Sequence, residues 1–251
     1  MVINDYDLIM FDLDGTLTPS KSPLETEMAE LLSKLLAKRK VAVISGCGYM
    51  QFETQFMKSW PKSTENFVNL FLLPTSGTQL YVWRGVWCEQ YAEHLTSKQK
   101  EKVMTALNEA LKSSGYNKPE KVYGQIIEDR GSQITFSALG QNAPLILKSA
   151  WDPGRKNREV IVKLLEKKLP EFDIRIGGTT SIDITKRGVN KAYGIRRLED
   201  FLNITADKIL FVGDALFPGG NDYPAKATGV DCIQVKGPNE TKKLIQDWLT
   251  E

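Results

Sequence analysis

The sequence predicts an α/β fold, in which a Rossmann-type parallel sheet forms the core and an α+β unit is inserted into it as a cap. Short apolar runs such as residues 8–11 and 41–44 have the length and composition of buried strands. Polar loops follow these runs directly, and helical spacing of apolar residues begins after the loops. Over residues 86–187 strands and helices alternate without acidic loops, so we assign residues 1–85 and 188–251 to the core.

The first predicted strand, residues 8–11, ends in the segment Asp12-Leu13-Asp14-Gly15-Thr16. Parallel sheets bind ligands at the carboxyl ends of their strands, and side chains two residues apart share a face of an extended segment. Two close carboxylates repel each other unless a cation or a shared proton offsets the charge, and Mg²⁺ takes carboxylates, waters and phosphate oxygens as ligands. The segment therefore indicates a metal-assisted phosphoryl site. Taken alone, it is also compatible with a solvated turn.

The next stretch predicts a helix, a strand and a phosphate-binding loop. Ser22, Pro23 and Glu25 have the pattern of a helix start, and apolar residues then recur at helical spacing. The strand at residues 41–44 ends at Ser45, and Gly46 follows it before another helical pattern. A hydroxyl and exposed backbone N–H groups at such a junction can hold a phosphate, although ordinary turn chemistry is the alternative.

The remaining core elements lie on both sides of the insertion. Arg84-Gly85 predicts a hairpin turn before it. After it, Lys191 begins a helix, where the helix dipole disfavours a cation, so this lysine is expected to face an anion unless it is an ordinary surface residue. A strand over residues 208–213 then ends at Asp214, and Asn221-Asp222 follow in the next loop.

Composition excludes several classes of function. The 251 residues include 33 Lys and Arg against 31 Asp and Glu, a net charge of +2 that argues against a general nucleic-acid surface. Three widely spaced cysteines predict no disulfide framework, and the single histidine, His94, excludes a multi-histidine metal site. No signal-peptide pattern and no apolar run near the ~20 residues that span a bilayer are present, so we expect a cytoplasmic protein.

The motifs at the strand ends resemble, in order, those of the haloacid dehalogenase (HAD) superfamily. The resemblance implies that Asp12 is the phosphoryl-accepting nucleophile, that Asp14 is the general acid and base, and that Ser45 and Lys191 hold the phosphoryl group. It further implies that Mg²⁺ is bound by Asp12, the backbone carbonyl of Asp14, and Asp214, supported by Asn221 and Asp222. An insertion between the second and third motifs is typical of the large-cap branch.

Two further segments resemble the eukaryotic phosphomannomutase family. They are Pro218-Gly219-Gly220-Asn221-Asp222 and the pair Gly177-Gly178 followed by Ser181 and Asp183, whose counterparts contact the sugar phosphate in that family. The family also presents three cap arginines to the distal phosphate. Here Tyr123 and Gln141 occupy two of those positions and Arg130 keeps the third. The resemblance therefore implies substrate contacts by Gly46, Arg130, Gln141, Ser181 and Asp183.

The predicted function is a Mg²⁺-dependent phosphatase that hydrolyses small phosphomonoesters, favouring sugar phosphates, through an aspartyl-phosphate. A phosphomannomutase-like hexose phosphomutase is the alternative, and a non-catalytic phosphometabolite-binding protein is less favoured because no essential acid is missing. The expected partner is a small phosphorylated metabolite, with no nucleic acid and no membrane. The sequence leaves a homodimer open.

Overall fold

The computed structural model describes residues 3–20, 22–61 and 64–250, and the chain divides into two compact units. The first, which we call the core, comprises Met1–Ala92 and Val189–Glu251, and the second, the cap, comprises Glu93–Gly188. The predicted start of the cap at residue 86 is wrong, because the strand that follows the Arg84-Gly85 turn pairs with the core sheet. The predicted return to the core at residue 188 is one residue early, since the Gly188 N–H donates to Asp173 of the cap at 2.9 Å.

Two sheets form the framework of the two units. In chain order the strands of the described residues are β1 (Leu8–Asp12), β2 (Lys40–Ile44), β3 (Leu70–Leu73), β4 (Gln79–Trp83), β5 (Trp87–Ala92), β6 (Ile127–Asp129), β7 (Gln133–Ser137), β8 (Phe172–Gly177), β9 (Ser181–Lys186), β10 (Ile209–Gly213) and β11 (Asp231–Gln234). The core sheet has the order β11-β10-β1-β2-β3-β4-β5, and the cap sheet has the order β6-β7-β9-β8.

Strand direction separates the two sheets. Strands β11, β10, β1, β2 and β3 are parallel, and β4 and β5 add an antiparallel hairpin at one edge. The cap sheet is antiparallel throughout. The predicted α/β core with an α+β insertion is therefore confirmed as a fold class.

The helices cover the sheets with apolar faces. They are α1 (Thr26–Leu36), α2 (Tyr49–Gln51), which continues as a π-helical turn (Phe52–Phe56), α3 (Ser97–Ser113), α4 (Leu145–Trp151), α5 (Lys156–Lys168), α6 (Lys191–Leu202) and α7 (Pro238–Thr250). Apolar residues of α1 and α7 pack on one face of the core sheet, and those of α6 pack on the other. Helices α3 and α5 pack on the cap sheet. None of the helices in the described part of the chain is both long and apolar enough to cross a membrane.

The first helix begins later than its sequence pattern predicts. Helix α1 starts at Thr26, with Glu25 rather than Ser22 as its capping residue. The Leu24 N–H donates to the Gln55 carbonyl at 2.7 Å, so it is bonded outside the helix. This contact ties the segment before α1 to the π-helical turn.

Candidate active site

The acidic side chains of the core meet because their strands are parallel neighbours. Asp12 is the last residue of β1 and pairs in register with Ile44, so Ser45 follows at the same edge of the sheet. Strand β10 lies on the other side of β1 and is followed by Asp214. The carboxyl ends of three adjacent strands therefore place two carboxylates and a hydroxyl in one region.

Lys191 enters this region from the first turn of α6. The Asn190 side chain caps the helix by accepting from the Tyr193 N–H at 3.1 Å, which fixes where the helix starts. Lys191 is buried, and its Nζ donates to Asp12 Oδ1 and to Asp222 Oδ1. Burial by itself lowers the pKa of this ammonium, but the charges of Asp12 and Asp222 more than offset that effect, so its pKa lies above the ordinary value. The lysine therefore stays charged.

The two carboxylates that contact this ammonium form, with Asp214, a group that could hold a metal ion. Oxygen atoms of Asp12, Asp214 and Asp222 all lie within 4.8 Å of one another. Burial raises the pKa of Asp214, and the charge of Asp222 raises it further. Burial likewise raises the pKa of Asp12. The charge of Lys191 lowers this pKa and the charges of Asp222 and Asp14 raise it, and the net shift is upward. Excess negative charge on hard oxygen donors is what a divalent cation would relieve.

Two of these carboxylates occupy space that is free because the neighbouring residues are glycines without a side chain. A Cβ on Gly15 would lie 2.7 Å from Asp214 Oδ2. Gly15 also has a φ of 92°, a backbone conformation that residues with a side chain rarely adopt. A Cβ on Gly213 would collide with the Asp222 carboxylate. That carboxylate also accepts from the Ala215 N–H at 2.9 Å. The backbone thus holds Asp222 against Lys191.

Asp14 faces a different set of partners from Asp12. Its Oδ1 accepts from Gln55 Nε2 at 3.1 Å, and its Oδ2 accepts from Ser45 Oγ at 3.4 Å. The carboxylate of Asp14 lies outside the three-acid group, and the metal contact expected from its backbone carbonyl stays a prediction. The Thr16 hydroxyl lies 3.4 Å from an oxygen of both Asp12 and Asp214.

Two other residues of the core unit were predicted to belong to the site. Gly46 lies beside Ser45, whereas Asn221 makes no contact with the three carboxylates through a hydrogen bond in the described part of the chain. Gly46 follows Ser45, and a Cβ placed on it would meet nothing within 4 Å, so its backbone borders open space. Asn221 is exposed, and within residues 3–20, 22–61 and 64–250 no hydrogen bond links it to the three carboxylates. Asp222, its neighbour, contacts Lys191 directly and is more than a supporting residue.

In the cap, Arg130 is paired with a carboxylate that the sequence analysis did not single out. Its Nε and one of its terminal nitrogens each lie 2.7 Å from Glu128 Oε2, and Gln141 Nε2 donates to the same oxygen. The Arg130 side chain is only 7% exposed and that of Glu128 25%. Three N–H donors thus converge on one carboxylate oxygen. Lys148 is buried nearby and donates to the Gln141 carbonyl at 2.6 Å.

The predicted cap residues Ser181 and Asp183 lie on β9 and bond to the neighbouring strand β7. Ser181 Oγ is 3.1 Å from Ser137 Oγ. Asp183 Oδ1 accepts from Gln133 Nε2 at 2.9 Å and from Thr135 Oγ1 at 2.7 Å. These bonds hold both side chains in place on one face of the cap sheet. They form a polar cluster within the cap.

Sequence reasoning missed Glu128, Gln55 and Thr16. Glu128 stands two residues before Arg130, and side chains two residues apart share a face of an extended segment, so the sequence carried this signal. Thr16 belongs to the quoted motif. Gln55 had no signal, because it lies within an irregular helical turn whose direction the sequence pattern does not give.

The chain is similar to a known protein family over most of its length. Residues 28–251 match the family model described as eukaryotic phosphomannomutase. The phosphomannomutase of Schizosaccharomyces pombe is 30% identical over 228 residues, which cover 86% of this chain and 83% of that protein.

Solved structures share the fold at lower identity. A haloacid dehalogenase-like hydrolase from Bacteroides thetaiotaomicron superposes with a TM-score of 0.66 at 15% identity and covers 96% of this chain and 99% of its own. A C-terminally truncated IMP-nucleotidase from Plasmodium falciparum gives a TM-score of 0.69 at 18% identity, covering 99% of this chain and 72% of its own. At these identities the likeness concerns the fold alone.

Proposed function

The chain belongs to the eukaryotic phosphomannomutase family within the HAD superfamily, and from that premise we propose that it is a Mg²⁺-dependent phosphatase of sugar phosphates. It is an enzyme of the HAD type, acting as a phosphosugar mutase or phosphatase. The observation that carries the proposal is the buried contact of Lys191 with Asp12 and Asp222 beside Asp214. Such a cluster has the charge needed to bind a metal ion and a phosphoryl group together.

In the proposed reaction Asp12 attacks the phosphorus atom and forms an aspartyl-phosphate, which divides one difficult hydrolysis into two transfers. Asp14 gives a proton to the leaving sugar oxygen and later takes one from water. Lys191 and Ser45, with the backbone N–H of Gly46, hold the other phosphoryl oxygens. Mg²⁺, held by Asp12, the Asp14 carbonyl and Asp214, would supply positive charge that offsets the developing negative charge.

The cap favours hydrolysis over mutase chemistry. A mutase must hold the distal phosphate of a bisphosphorylated sugar in either orientation, and arginine is the side chain best suited to this. The charge of Arg130 is already matched by Glu128, and the Lys148 ammonium is buried against a carbonyl. Weak distal binding lets water reach the aspartyl-phosphate before a reoriented sugar does. We assign Arg130, Gln141, Ser181 and Asp183 to contacts with the uncharged remainder of the substrate.

The product mixture tests this proposal. Mannose 1-phosphate or glucose 1-phosphate is incubated with the protein, Mg²⁺ and a trace of the matching 1,6-bisphosphate, and free phosphate and the 6-phosphate are quantified. We expect free phosphate to dominate, and we expect EDTA to abolish the reaction and added Mg²⁺ to restore it. Dominant 6-phosphate would instead support the phosphomutase alternative, and no turnover of either sugar would favour a binding protein.

A double variant tests the physical reason. Tyr123→Arg with Gln141→Arg restores two cations at the positions where the family has them, so the share of 6-phosphate should rise. An unchanged share in a folded, active variant would show that the cap charge does not set the outcome.

A further inference from the structure

Gln55 contacts the proposed general acid and base, yet the reaction described above does not use it. Its Nε2 lies 3.1 Å from Asp14 Oδ1 and 3.3 Å from Thr18 Oγ1. The hydrogen bond from Ser45 Oγ to the other oxygen of Asp14 is longer, at 3.4 Å. Because a protonated carboxyl group must point at the leaving oxygen to transfer its proton, the side chain that fixes the rotation of that group affects the rate.

The backbone that carries Gln55 is held firmly by the core. Gln55 lies in the π-helical turn between Phe52 and Phe56, both of which are fully buried. Its carbonyl accepts from the Leu24 N–H at 2.7 Å, which joins the turn to the segment that follows the Asp12–Thr18 loop. Single π-helical turns are rare and are frequently found at functional sites, and this one carries the amide that contacts Asp14.

We propose that Gln55 is a positioning residue that orients the Asp14 carboxyl group for proton transfer. The residue type suits this task, because an amide N–H donates to a carboxyl oxygen whether or not the carboxyl group is protonated. The inference rests on the proposed phosphatase function.

The first chemical step shows where Gln55 would matter. An oxygen of Asp12 forms a bond to phosphorus while the bond from phosphorus to the sugar oxygen breaks, and the proton of Asp14 passes to that sugar oxygen. In the second step Asp14 takes a proton from water, whose oxygen displaces Asp12 from phosphorus. A leaving group that is stable as an anion, such as 4-nitrophenolate, departs without needing the proton, so its departure does not depend on the orientation of Asp14.

The test compares two leaving groups in wild-type protein and in Gln55→Met, which keeps the chain length and removes the donor. Single-turnover kinetics with Mg²⁺ measure sugar release from a hexose 1-phosphate and the burst of 4-nitrophenolate from 4-nitrophenyl phosphate. We expect sugar release to fall by roughly 10-fold to 100-fold, a part of what general acid catalysis contributes. The nitrophenolate burst should change by less than about 3-fold. The ratio of the two rates is independent of the fraction of protein that is folded.

A matched control lies one residue away. Thr54 is exposed in the same turn, and its hydroxyl bonds to the Met50 carbonyl at 3.0 Å, so Thr54→Val should leave both rates unchanged. Equal losses with both substrates in Gln55→Met would make Gln55 a structural residue and overturn the inference, as would no loss with either. If wild-type protein turned over neither substrate, the proposed function would fail and the inference with it.

Discussion

The core and the cap each bury a cation against carboxylates, but the balance of charge differs between them. In the core, Lys191 contacts Asp12 and Asp222 while Asp214 lies close by, so negative charge exceeds positive charge. In the cap, Arg130 contacts Glu128 and the pair is balanced. An unbalanced cluster can gain free energy by binding a cation, whereas a balanced pair gains nothing from a further charge. Reactivity is therefore expected in the core, and recognition of an uncharged group in the cap.

The largest expected effect comes from removing the nucleophile in the core. Asp12→Asn loses the attacking oxygen and one of the three clustered carboxylates, so hydrolysis of hexose phosphates should fall by about 10⁴-fold or more. Steady-state phosphate release with Mg²⁺ measures this. Asp7→Asn, an exposed change just before β1, is the matched control and should retain normal turnover. Near-normal activity of Asp12→Asn would refute the proposed reaction.

A second prediction compares the two cations directly through stability. Lys191→Met leaves buried carboxylates without a counter-charge and should lower the free energy of unfolding, measured without Mg²⁺, by about 3–5 kcal/mol. Arg130→Met leaves Glu128 without its counter-charge, but water can partly reach that carboxylate. The free energy of unfolding should therefore fall by only about 1–2 kcal/mol. Urea unfolding of both variants, followed by circular dichroism, gives the two values. Equal losses would mean that charge imbalance does not distinguish the two regions.

The smallest expected effect tests whether Glu128 keeps Arg130 from an anion. Glu128→Gln removes the counter-charge and keeps the shape, so Arg130 should hold a distal phosphate better. The ratio of 6-phosphate to free phosphate from glucose 1-phosphate should rise by about 5-fold, which corresponds to roughly 1 kcal/mol. Asp129→Asn removes the neighbouring carboxylate, which forms an exposed ion pair with Lys100 at 2.7 Å, and serves as the control. A ratio that stays constant in Glu128→Gln would contradict the hypothesis that Glu128 keeps Arg130 from binding a distal phosphate.

Local patterns in the sequence were enough to predict the parallel core, an inserted cap and the order of the acidic motifs. Apolar runs that end in Asp12, Ser45 and Asp214 are local signals, because a buried strand and the polar residue after it are adjacent in the chain. Parallel pairing then brings those residues to one edge. The prediction placed β5 in the cap, whereas it pairs with β4 of the core sheet. The order of predicted strands and helices along the chain does not reveal which sheet a strand joins.

The pairing of side chains within each unit depends on three-dimensional packing and had no local signal in most cases. Asp222, in the loop after β10, contacts Lys191 of α6. Gln55 reaches Asp14 from an irregular turn, and Glu128 accepts from Arg130. Most of these partners are separated by tens of residues, and their contacts depend on distances that packing sets rather than on any local pattern. Charge balance is a property of those contacts. For this reason the sequence could identify the charged residues of the core and cap as candidate site residues. It could not show where charge remains uncompensated.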